Sequence, residues 1–533
     1  MIRWSLVLIA VVLCVAVAPM EAQNLVVPDG LVTTHHQVVV DGKTLKYTAT
    51  AGRLPIINAV ADETHGYMFF VAYTLDRAPS DPARPLTFVW NGGPGSSASQ
   101  VQLMGFGPRR LKMGASYPTS APLSVKTDLE DNQETWLDFT DLVFVDPIGT
   151  GYSRLTKPEY TAEFFNTVGD AESVAEFIRV YRQRFDAFNA PLFLAGESYG
   201  TTRAQWVAEA LERRRTTVAG VALISGEVSL GQKPPPAMWA ALLVSRFTAT
   251  AYYHQKLPAD LQSGTLEQAL KAANSWARTE YASALDHPEN ITKEQRDTII
   301  AQLVRFSGVK PKVVDPRTLM ISGSEFTDRL LEDQGLDLGR YDSRMTARRD
   351  VAKIPWTPTI DPSLSPVIDL MQGTSPSMIR YLRSDLKYKT DQAYLGPFGG
   401  AYPAPTIPNG DWMSTNWARG GNQPAGVPAY EAAPGGGRRG GTSDGQPASI
   451  PLIPPLRKAM ELNPSMHVLV LTGLYDSIGC ERTAYSFSLI DPSFRDRVKA
   501  ACYAGGHMMY SDKEARQHMK HDMAELVREG SGS

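Results

Sequence analysis

The sequence contains little cysteine and no long run of charge of one sign. Three cysteines occur in 533 residues, and Cys14 lies in an amino-terminal apolar segment, which leaves Cys480 and Cys502 for the rest of the chain. Lys and Arg number 53 and Asp and Glu number 56, so the net charge is −3. Because no basic stretch is present to bind a phosphate backbone, nothing in the sequence indicates a nucleic-acid partner.

Motifs for metals and for phosphate loops are also missing. The sequence has no H-E-x-x-H pattern and no Cys/His cluster with zinc spacing, which argues against a metal-dependent mechanism. The glycine-rich stretch GGPGSS lacks the lysine of a phosphate-binding loop. We therefore expect neither a metal nor another cofactor.

The amino terminus is typical of an export signal. Arg3 supplies a positive charge, residues 6–18 are apolar, and Ala22 offers a small residue for cleavage. These thirteen apolar residues are fewer than the roughly 20 that span a bilayer. We expect residues 1–22 to be removed and an exported, periplasmic or secreted protein without a stable membrane anchor. Outside the cytoplasm, Cys480 and Cys502 form either one disulfide or two small buried thiols.

Five short apolar runs without polar alternation predict strands buried on both faces of a largely parallel sheet. They are Leu86–Val89, Leu142–Val145, Leu192–Ala195, Val221–Ile224 and Val468–Leu471. Between two of them, apolar residues recur at helical spacing from Val174 to Phe185, with Asp170 and Glu172 as expected capping acids. Strands alternating with helices indicate the α/β class.

The organisation of the chain follows from changes in composition. We predict a first part of the sheet domain over 23–228 and a mostly helical lid over 229–391. The lid contains helical pieces at Met238–Thr248, Leu266–Trp276 and Lys293–Val304. Residues 392–451 are rich in Gly and Pro and predict a long surface loop, and 452–533 complete the sheet domain.

A candidate nucleophile occurs in the stretch FLAGESYGTTRAQW. An apolar strand runs into Gly196-Glu197-Ser198-Tyr199-Gly200, and a helical pattern follows. Glycines two residues before and two after a serine allow the strained turn that exposes a nucleophilic hydroxyl between a strand and a helix. Ser198 is therefore the predicted nucleophile.

A serine hydroxyl needs a base and an orienting carboxylate, which follow it in the order Asp, His when the serine lies on such a turn. Asp476 follows the last strong strand in HVLVLTGLYD, and His507 lies in CYAGGHMMY. Either residue alone is more often a turn, core or surface residue. Their joint placement in late loops after the elbow supports both, whereas His518 and His521 lie in a charged stretch that predicts a solvated helix.

The loop WNGGPG, directly after the strand Leu86–Val89, contains three glycines and a proline, and an oxyanion-binding role explains this composition. An acyl-transfer transition state carries an oxyanion, which backbone N–H groups held in a preorganised loop can stabilise. The elbow supplies one donor from the residue after the serine, Tyr199, and an early strand-to-helix loop supplies the other. Gly93 is the predicted second donor.

Together, five stretches of this sequence resemble the serine carboxypeptidases, peptidase family S10. The matching stretches are WNGGPGSS, FVDPIGTGYS, GESYG, LYD around Asp476 and GGHM around His507. The resemblance implies an α/β-hydrolase fold with a central mostly parallel sheet and a largely helical lid insertion. It also implies removal of carboxyl-terminal residues from peptides by Ser198, Asp476 and His507. The few cysteines fit a bacterial exported member of the family.

The resemblance further implies that Asn91, Gly92 and Glu197 bind the free terminal carboxylate of a peptide substrate. A carboxylate hydrogen-bonds to a glutamate only when one of the two carries a proton, so we expect a raised pKa for Glu197. An esterase or acyltransferase of the same family is an alternative, because the acceptor of the acyl group depends on what is bound. A catalytically silent exported binding protein is a second alternative.

Overall fold

The computed structural model describes residues 30–78, 80–112, 128–226, 228, 230–231, 234–349, 361–396 and 454–532. The predicted signal segment 1–22 and nearly all of the Gly- and Pro-rich region 392–451 lie outside these residues. Within the described ranges, every helix is too short or too polar to cross a membrane.

The strands of the described residues are numbered in chain order. They are β1 Val32–Val40, β2 Lys43–Asn58, β3 Glu63–Leu75, β4 Leu86–Trp90, β5 Arg109–Leu111, β6 Leu129–Asp131, β7 Asp141–Asp146, β8 Arg154–Leu155, β9 Leu192–Glu197, β10 Gly220–Ile224, β11 Leu336–Leu338, β12 Thr346–Arg348, β13 His467–Gly473 and β14 Val498–Tyr503.

The α-helices are numbered in the same way. They are α1 Thr161–Phe164, α2 Thr167–Arg184, α3 Tyr199–Arg213, α4 Pro236–Ala241, α5 Leu243–Tyr253, α6 Ala259–Gln262, α7 Leu266–Trp276, α8 Ala282–Asp286, α9 Lys293–Ser307, α10 Gly323–Arg329, α11 Ile368–Met371, α12 Pro376–Arg380, α13 Pro455–Leu462, α14 Cys480–Ser488 and α15 Lys513–Gly530.

One large sheet organises the fold, with the strand order β1-β2-β3-β7-β4-β9-β10-β13-β14 and β8 paired to β3. The strands from β7 to β14 along this order run parallel, whereas β1, β2 and β3 form an antiparallel extension. All five apolar runs of the sequence are confirmed as parallel strands. The antiparallel strands were not predicted; β1 alternates exposed and buried residues, a pattern that differs from that of strands buried on both faces.

Alternate residues of the parallel strands pack into two separate clusters, one on each face of the sheet. In β7, Leu142 and Phe144 join the first cluster, and Val143 and Val145 join the second. A third cluster, from Ala241 to Leu338, forms the interior of the helical insertion. Apolar residues from Leu364 to Tyr388, which we expected in the lid, and Tyr394, which we expected in the surface loop, pack into the first sheet cluster.

The start of α2 differs from the prediction at its capping residues. Asn166 caps this helix, and its side chain accepts a hydrogen bond from the backbone of Gly169 at 2.8 Å. Asp170 is buried and pairs with Arg203, and Glu172 pairs with Arg213 of α3. These two acids therefore join α2 to α3 and do not cap it.

Cys480 and Cys502 are joined by a disulfide, which decides between the two alternatives left by the sequence. Cys480 is the first residue of α14, and Cys502 lies near the end of β14. The bond therefore connects the segment after Asp476 to the strand before His507.

We expect the double variant Cys480→Ala/Cys502→Ala to unfold more easily than the parent protein. Closure of a loop with a sequence separation of 22 restricts the unfolded chain, a contribution of about 3 kcal/mol to the free energy of unfolding. Urea denaturation followed by circular dichroism measures the difference. Dithiothreitol should lower the stability of the parent and leave that of the variant unchanged, and equal stability of oxidised parent and variant would contradict the prediction.

Candidate active site

Ser198 lies on a sharp turn between β9 and α3. Its backbone has φ 59° and ψ −129°, a conformation that side-chain-bearing residues rarely adopt and that strained functional turns retain. A Cβ atom added to Gly196 would lie 2.0 Å from the carbonyl oxygen of Gly200, so the turn requires glycine there. The predicted elbow is therefore present, with Ser198 partly exposed at the carboxyl end of β9.

Asp476 and His507 meet at the same edge of the sheet. They follow β13 and β14, which are parallel neighbours, so their carboxyl ends lie side by side. His507 Nδ1 and Asp476 Oδ1 are 2.9 Å apart, and both side chains are buried. His507 Nε2 makes no hydrogen bond to any described residue, Ser198 included.

The carboxylate of Glu197 lies between the predicted base and the glycine-rich loop. Its Oε1 atom is 3.6 Å from His507 Nε2, and its Oε2 atom accepts a hydrogen bond from Asn91 Nδ2 at 2.9 Å. The backbone N–H of Gly92 also donates to this carboxylate. Asn91, Gly92 and Glu197, which the resemblance assigned to one task, are thus in direct contact.

Burial and charge act in opposite directions on these three ionisable groups. Burial raises the pKa of Glu197, although His507 and Asn91 oppose the increase. Burial alone would lower the pKa of His507, but the carboxylates of Asp476 and Glu197 raise it to about 9. Burial would raise the pKa of Asp476, yet His507 and Arg246 hold it below its usual range.

The glycine-rich loop packs directly against the elbow. A Cβ atom added to Gly92 would lie 2.4 Å from the amide nitrogen of Tyr199, so this close approach requires glycine. Gly93 has φ 102°, which also favours glycine. The indole of Trp90 donates to the carbonyl of Gly200 at 2.9 Å. The structure therefore brings the loop of Gly93 beside the backbone of Tyr199, the two predicted oxyanion donors.

Residues of the insertion, which no sequence motif marked, complete the site from the other side. The backbone N–H of His507 donates to the carbonyl of Tyr341 at 2.6 Å, and the two rings meet edge to face with centroids 5.3 Å apart. Arg344 Nη1 donates to the carbonyl of Ala504 at 2.9 Å. Ser343 Oγ donates to the carbonyl of Tyr475, the residue before Asp476, at 3.2 Å. The segment Tyr341–Arg344 thus holds the loops of both Asp476 and His507.

Comparison with known proteins gives a partial match that includes the elbow. Residues 46–223 match the model of the family described as serine carboxypeptidase. Over this segment, about a third of its length, the chain is similar to the serine carboxypeptidase family. This segment contains Asn91, Gly92, Glu197 and Ser198, whereas Asp476 and His507 lie beyond it.

Two curated relatives of this chain are fungal. The pheromone-processing carboxypeptidase kex1 of Aspergillus terreus is 32% identical over 161 residues, which cover 29% of this chain and 22% of the relative. The kex1 protein of Neosartorya fischeri is 30% identical over 189 residues, which cover 32% of this chain and 27% of the relative. The chain therefore spans about a quarter of each relative, and the fungal sources give no support to a bacterial origin.

Among solved structures, a prohormone-processing carboxypeptidase of Saccharomyces cerevisiae, Kex1(delta)p, aligns over 91% of both chains. Its TM-score is 0.49 and its sequence identity is 14%. A proline iminopeptidase of Mycobacterium smegmatis aligns over 93% of this chain with a TM-score of 0.31 and 12% identity.

A group of side chains that could ligate a metal ion lies outside this site. His521, Asp522 and Glu525 of α15 place ligand atoms within 4.8 Å of one another. His521 is exposed, and Asp522 accepts a hydrogen bond from the hydroxyl of Tyr503. None of these contacts involves a residue of the candidate site around Ser198.

We expect Asp476→Asn to lower the pKa of His507, because a neutral amide cannot stabilise the imidazolium. The pKa of His507 is raised from 6.5 to about 9, so its protonated form contributes stability that is fully present below pH 6.5. This contribution is lost as the pH rises through 9. The shift corresponds to about 3 kcal/mol. The free energy of unfolding of the parent should therefore fall between pH 6.5 and 9, and that of the variant should fall less.

Nuclear magnetic resonance of histidine-labelled protein measures the pKa directly. His254 is the internal control, because burial lowers its pKa and Asp476 is not among the groups that act on it. An unchanged His507 titration in the variant would contradict the coupling.

Proposed function

We propose that the protein is a serine carboxypeptidase that releases single residues from the carboxyl ends of peptides through an acyl-enzyme on Ser198. The observation that carries this proposal is the contact of one buried carboxylate, Glu197, with both Asn91 and His507. A peptide whose terminal carboxylate binds at Asn91 and Glu197 would present its last peptide bond next to Ser198 and His507 Nε2. An esterase has no need of a protonatable carboxylate at this point.

The proposed acylation follows from the positions of these groups. Ser198 Oγ attacks the carbonyl carbon of the last peptide bond, and its proton passes to His507 Nε2, while Asp476 stabilises the imidazolium. The negative charge that develops on the carbonyl oxygen is stabilised by the backbone N–H groups of Gly93 and Tyr199. The C–N bond then breaks, and His507 returns the proton to the nitrogen of the released amino acid.

Deacylation repeats these steps with water as the nucleophile. Water gives a proton to His507 Nε2 and attacks the acyl carbon. Collapse of the second tetrahedral intermediate breaks the ester bond, and His507 protonates Ser198 Oγ. The products are the shortened peptide and the free enzyme.

Glu197 couples substrate binding to the state of the base. The pKa of about 9 for His507 depends on two anionic neighbours, Asp476 and Glu197. When a substrate carboxylate binds, a proton taken from solvent is shared between it and Glu197, so less negative charge remains on Glu197 beside His507; the pKa of His507 then falls, which favours its free-base form. Binding of the correct substrate terminus would therefore prepare the base for catalysis.

Export is part of this proposal. The amino-terminal segment 1–22 has the pattern of a signal peptide. The disulfide between Cys480 and Cys502 persists in oxidising compartments and supports a location outside the cytoplasm.

The first test compares an N-acyl-Phe-Leu peptide with its carboxyl-terminal amide. We expect the parent protein to cleave the free acid and to cleave the amide much more slowly, because only the free acid offers a carboxylate to Asn91 and Glu197. Ser198→Ala should abolish the reaction, with a loss of at least about 10,000-fold in kcat. Ser263→Ala, an exposed serine of the insertion, is the matched control and should retain full activity.

Equal cleavage of acid and amide by the parent would refute the carboxylate-binding role. Hydrolysis of esters without any cleavage of peptides would favour the esterase or acyltransferase alternative.

The second test replaces Glu197 by glutamine and follows KM against pH. In the parent, Glu197 loses its proton above its raised pKa and then repels the substrate carboxylate. We expect the parent KM to rise about tenfold per pH unit above that pKa. Glu197→Gln stays neutral, so its KM for the free acid should remain constant over the same range.

Amide and ester substrates serve as internal controls, since they carry no terminal charge. The matched control variant is Glu176→Gln, which removes a carboxylate that pairs with Arg179 on the surface of α2. A pH profile of KM in Glu197→Gln that equals the parent profile would refute the assignment.

A further inference from the structure

Arg203 is a buried arginine of α3 that the proposed mechanism does not use. None of its side chain is exposed, and its partner Asp170 on α2 is 4% exposed. Arg203 Nε donates to Asp170 Oδ2 at 2.8 Å. A buried guanidinium loses its hydration, and Nη2 makes no hydrogen bond to any described residue. The fold thus retains a charge whose burial is unfavourable unless good partners compensate.

The second partner of Arg203 is the backbone of the glycine-rich loop. Arg203 Nη1 donates to the carbonyl oxygen of Asn91 at 2.8 Å. This oxygen belongs to the peptide unit whose N–H, at Gly92, donates to Glu197. Since a peptide unit is planar, a hydrogen bond that fixes its C=O also fixes the direction of its N–H.

The same ion pair also contacts the elbow. The guanidinium of Arg203 lies 5.2 Å from the ring centroid of Tyr199, and the hydroxyl of Tyr199 donates to Asp170 at 3.4 Å. Tyr199 supplies one proposed oxyanion donor, and the loop after Asn91 supplies the other. Arg203 and Asp170 are therefore connected to both.

A rigid planar donor group suits this task. The guanidinium presents N–H donors in a fixed fork, so one arginine can connect a carboxylate on one helix to a carbonyl on a loop at a defined separation. An ammonium is a single point of charge on a flexible stem and cannot hold both partners in the same geometry. An apolar side chain could fill the space but would leave the Asn91 carbonyl without this donor.

We propose that Arg203, held by Asp170, is a positioning residue that fixes the Asn91–Gly92 peptide relative to Ser198 and so aligns the oxyanion loop for acylation. This inference rests on the proposed function, in which that loop stabilises the transition state. It extends that function because Arg203 acts from behind the loop and does not touch the substrate.

The kinetic signature of this role differs from that of carboxylate binding. A misplaced oxyanion loop slows attack on every acyl substrate, whereas a change at Glu197 affects substrates with a free carboxylate. We expect Arg203→Met to lower kcat about 100- to 1,000-fold for peptide and ester substrates alike, the range found when an oxyanion donor is lost. Arg203→Lys should fall between this variant and the parent, because lysine can serve one partner at a time.

The decisive measurement is the rate at which a fluorophosphonate inactivates the protein. Ser198 Oγ attacks phosphorus, the P–O bond forms, the P–F bond breaks, and the serine proton leaves with fluoride through His507. The phosphonyl oxygen occupies the position of the oxyanion. The second-order rate constant of inactivation therefore depends on the alignment of the oxyanion loop and on the reactivity of Ser198, without a peptide substrate. We expect Arg203→Met to reduce this constant at least tenfold, with a smaller reduction in Asp170→Asn.

Arg213→Met is the matched control. Arg213 lies on the same helix, pairs with Glu172 of α2 and is 48% exposed, so its loss should leave the inactivation rate unchanged. Circular dichroism and the midpoints of urea denaturation show whether each variant is folded. Inactivation rates are compared only at temperatures at which it is folded. If Arg203→Met does not fold, Arg203→Lys and Asp170→Asn decide the outcome, because each retains a polar group at its position.

Variants that are less stable but react with the fluorophosphonate at the parent rate would overturn the inference and leave Arg203 a structural residue. A parent protein that reacts at Ser198 but cleaves no peptide would refute the proposed function while the variants still test the inference. A parent whose Ser198 does not react at all would overturn both.

Discussion

The buried carboxylate of Glu197 is the group on which the rest of the site depends. It ends β9, precedes Ser198, the proposed nucleophile, and contacts both Asn91 and His507. Burial of an ionised carboxylate is unfavourable, so the surrounding donors and the imidazolium must compensate, and the protonation states of Glu197 and His507 become linked. In the proposed function, that linkage lets binding of the substrate's terminal carboxylate change the protonation of His507.

The parallel sheet explains how residues distant in the chain come together. Asn91 follows β4, Glu197 ends β9, and Asp476 and His507 follow β13 and β14. Carboxyl ends of parallel strands meet at one edge of a sheet, so each of these strands brings one residue to the candidate site. The disulfide from Cys480 to Cys502 and the segment Tyr341–Arg344 then limit movement of the last two loops.

Sequence patterns predicted those parts of the site that depend on residues close together in the chain. The glycines around Ser198 and in NGGPG are needed for turns and close approaches, so they are recognisable without knowledge of distant contacts. The partner of Arg203 and the contact of Tyr341 with His507 depend on chain segments that are far apart in sequence. No short pattern encodes such contacts. Asp170 shows this limit directly, because its position suggested a cap and its partner lies on another helix.

The insertion between β10 and β13 separates two neighbouring strands in the sequence, and its residues also contact the candidate site. Residue Gly220 of β10 pairs in register with His467 of β13, so the chain returns to the neighbouring strand after more than two hundred residues. Loop closure becomes only slowly more unfavourable with length, which makes such an excursion tolerable. The carbonyl of Tyr341 accepts the N–H of His507, and Arg344 binds the carbonyl of Ala504. Since these contacts hold the histidine loop, the insertion supports the candidate site, and changes within it can alter the position of His507, the proposed base, without touching the sheet.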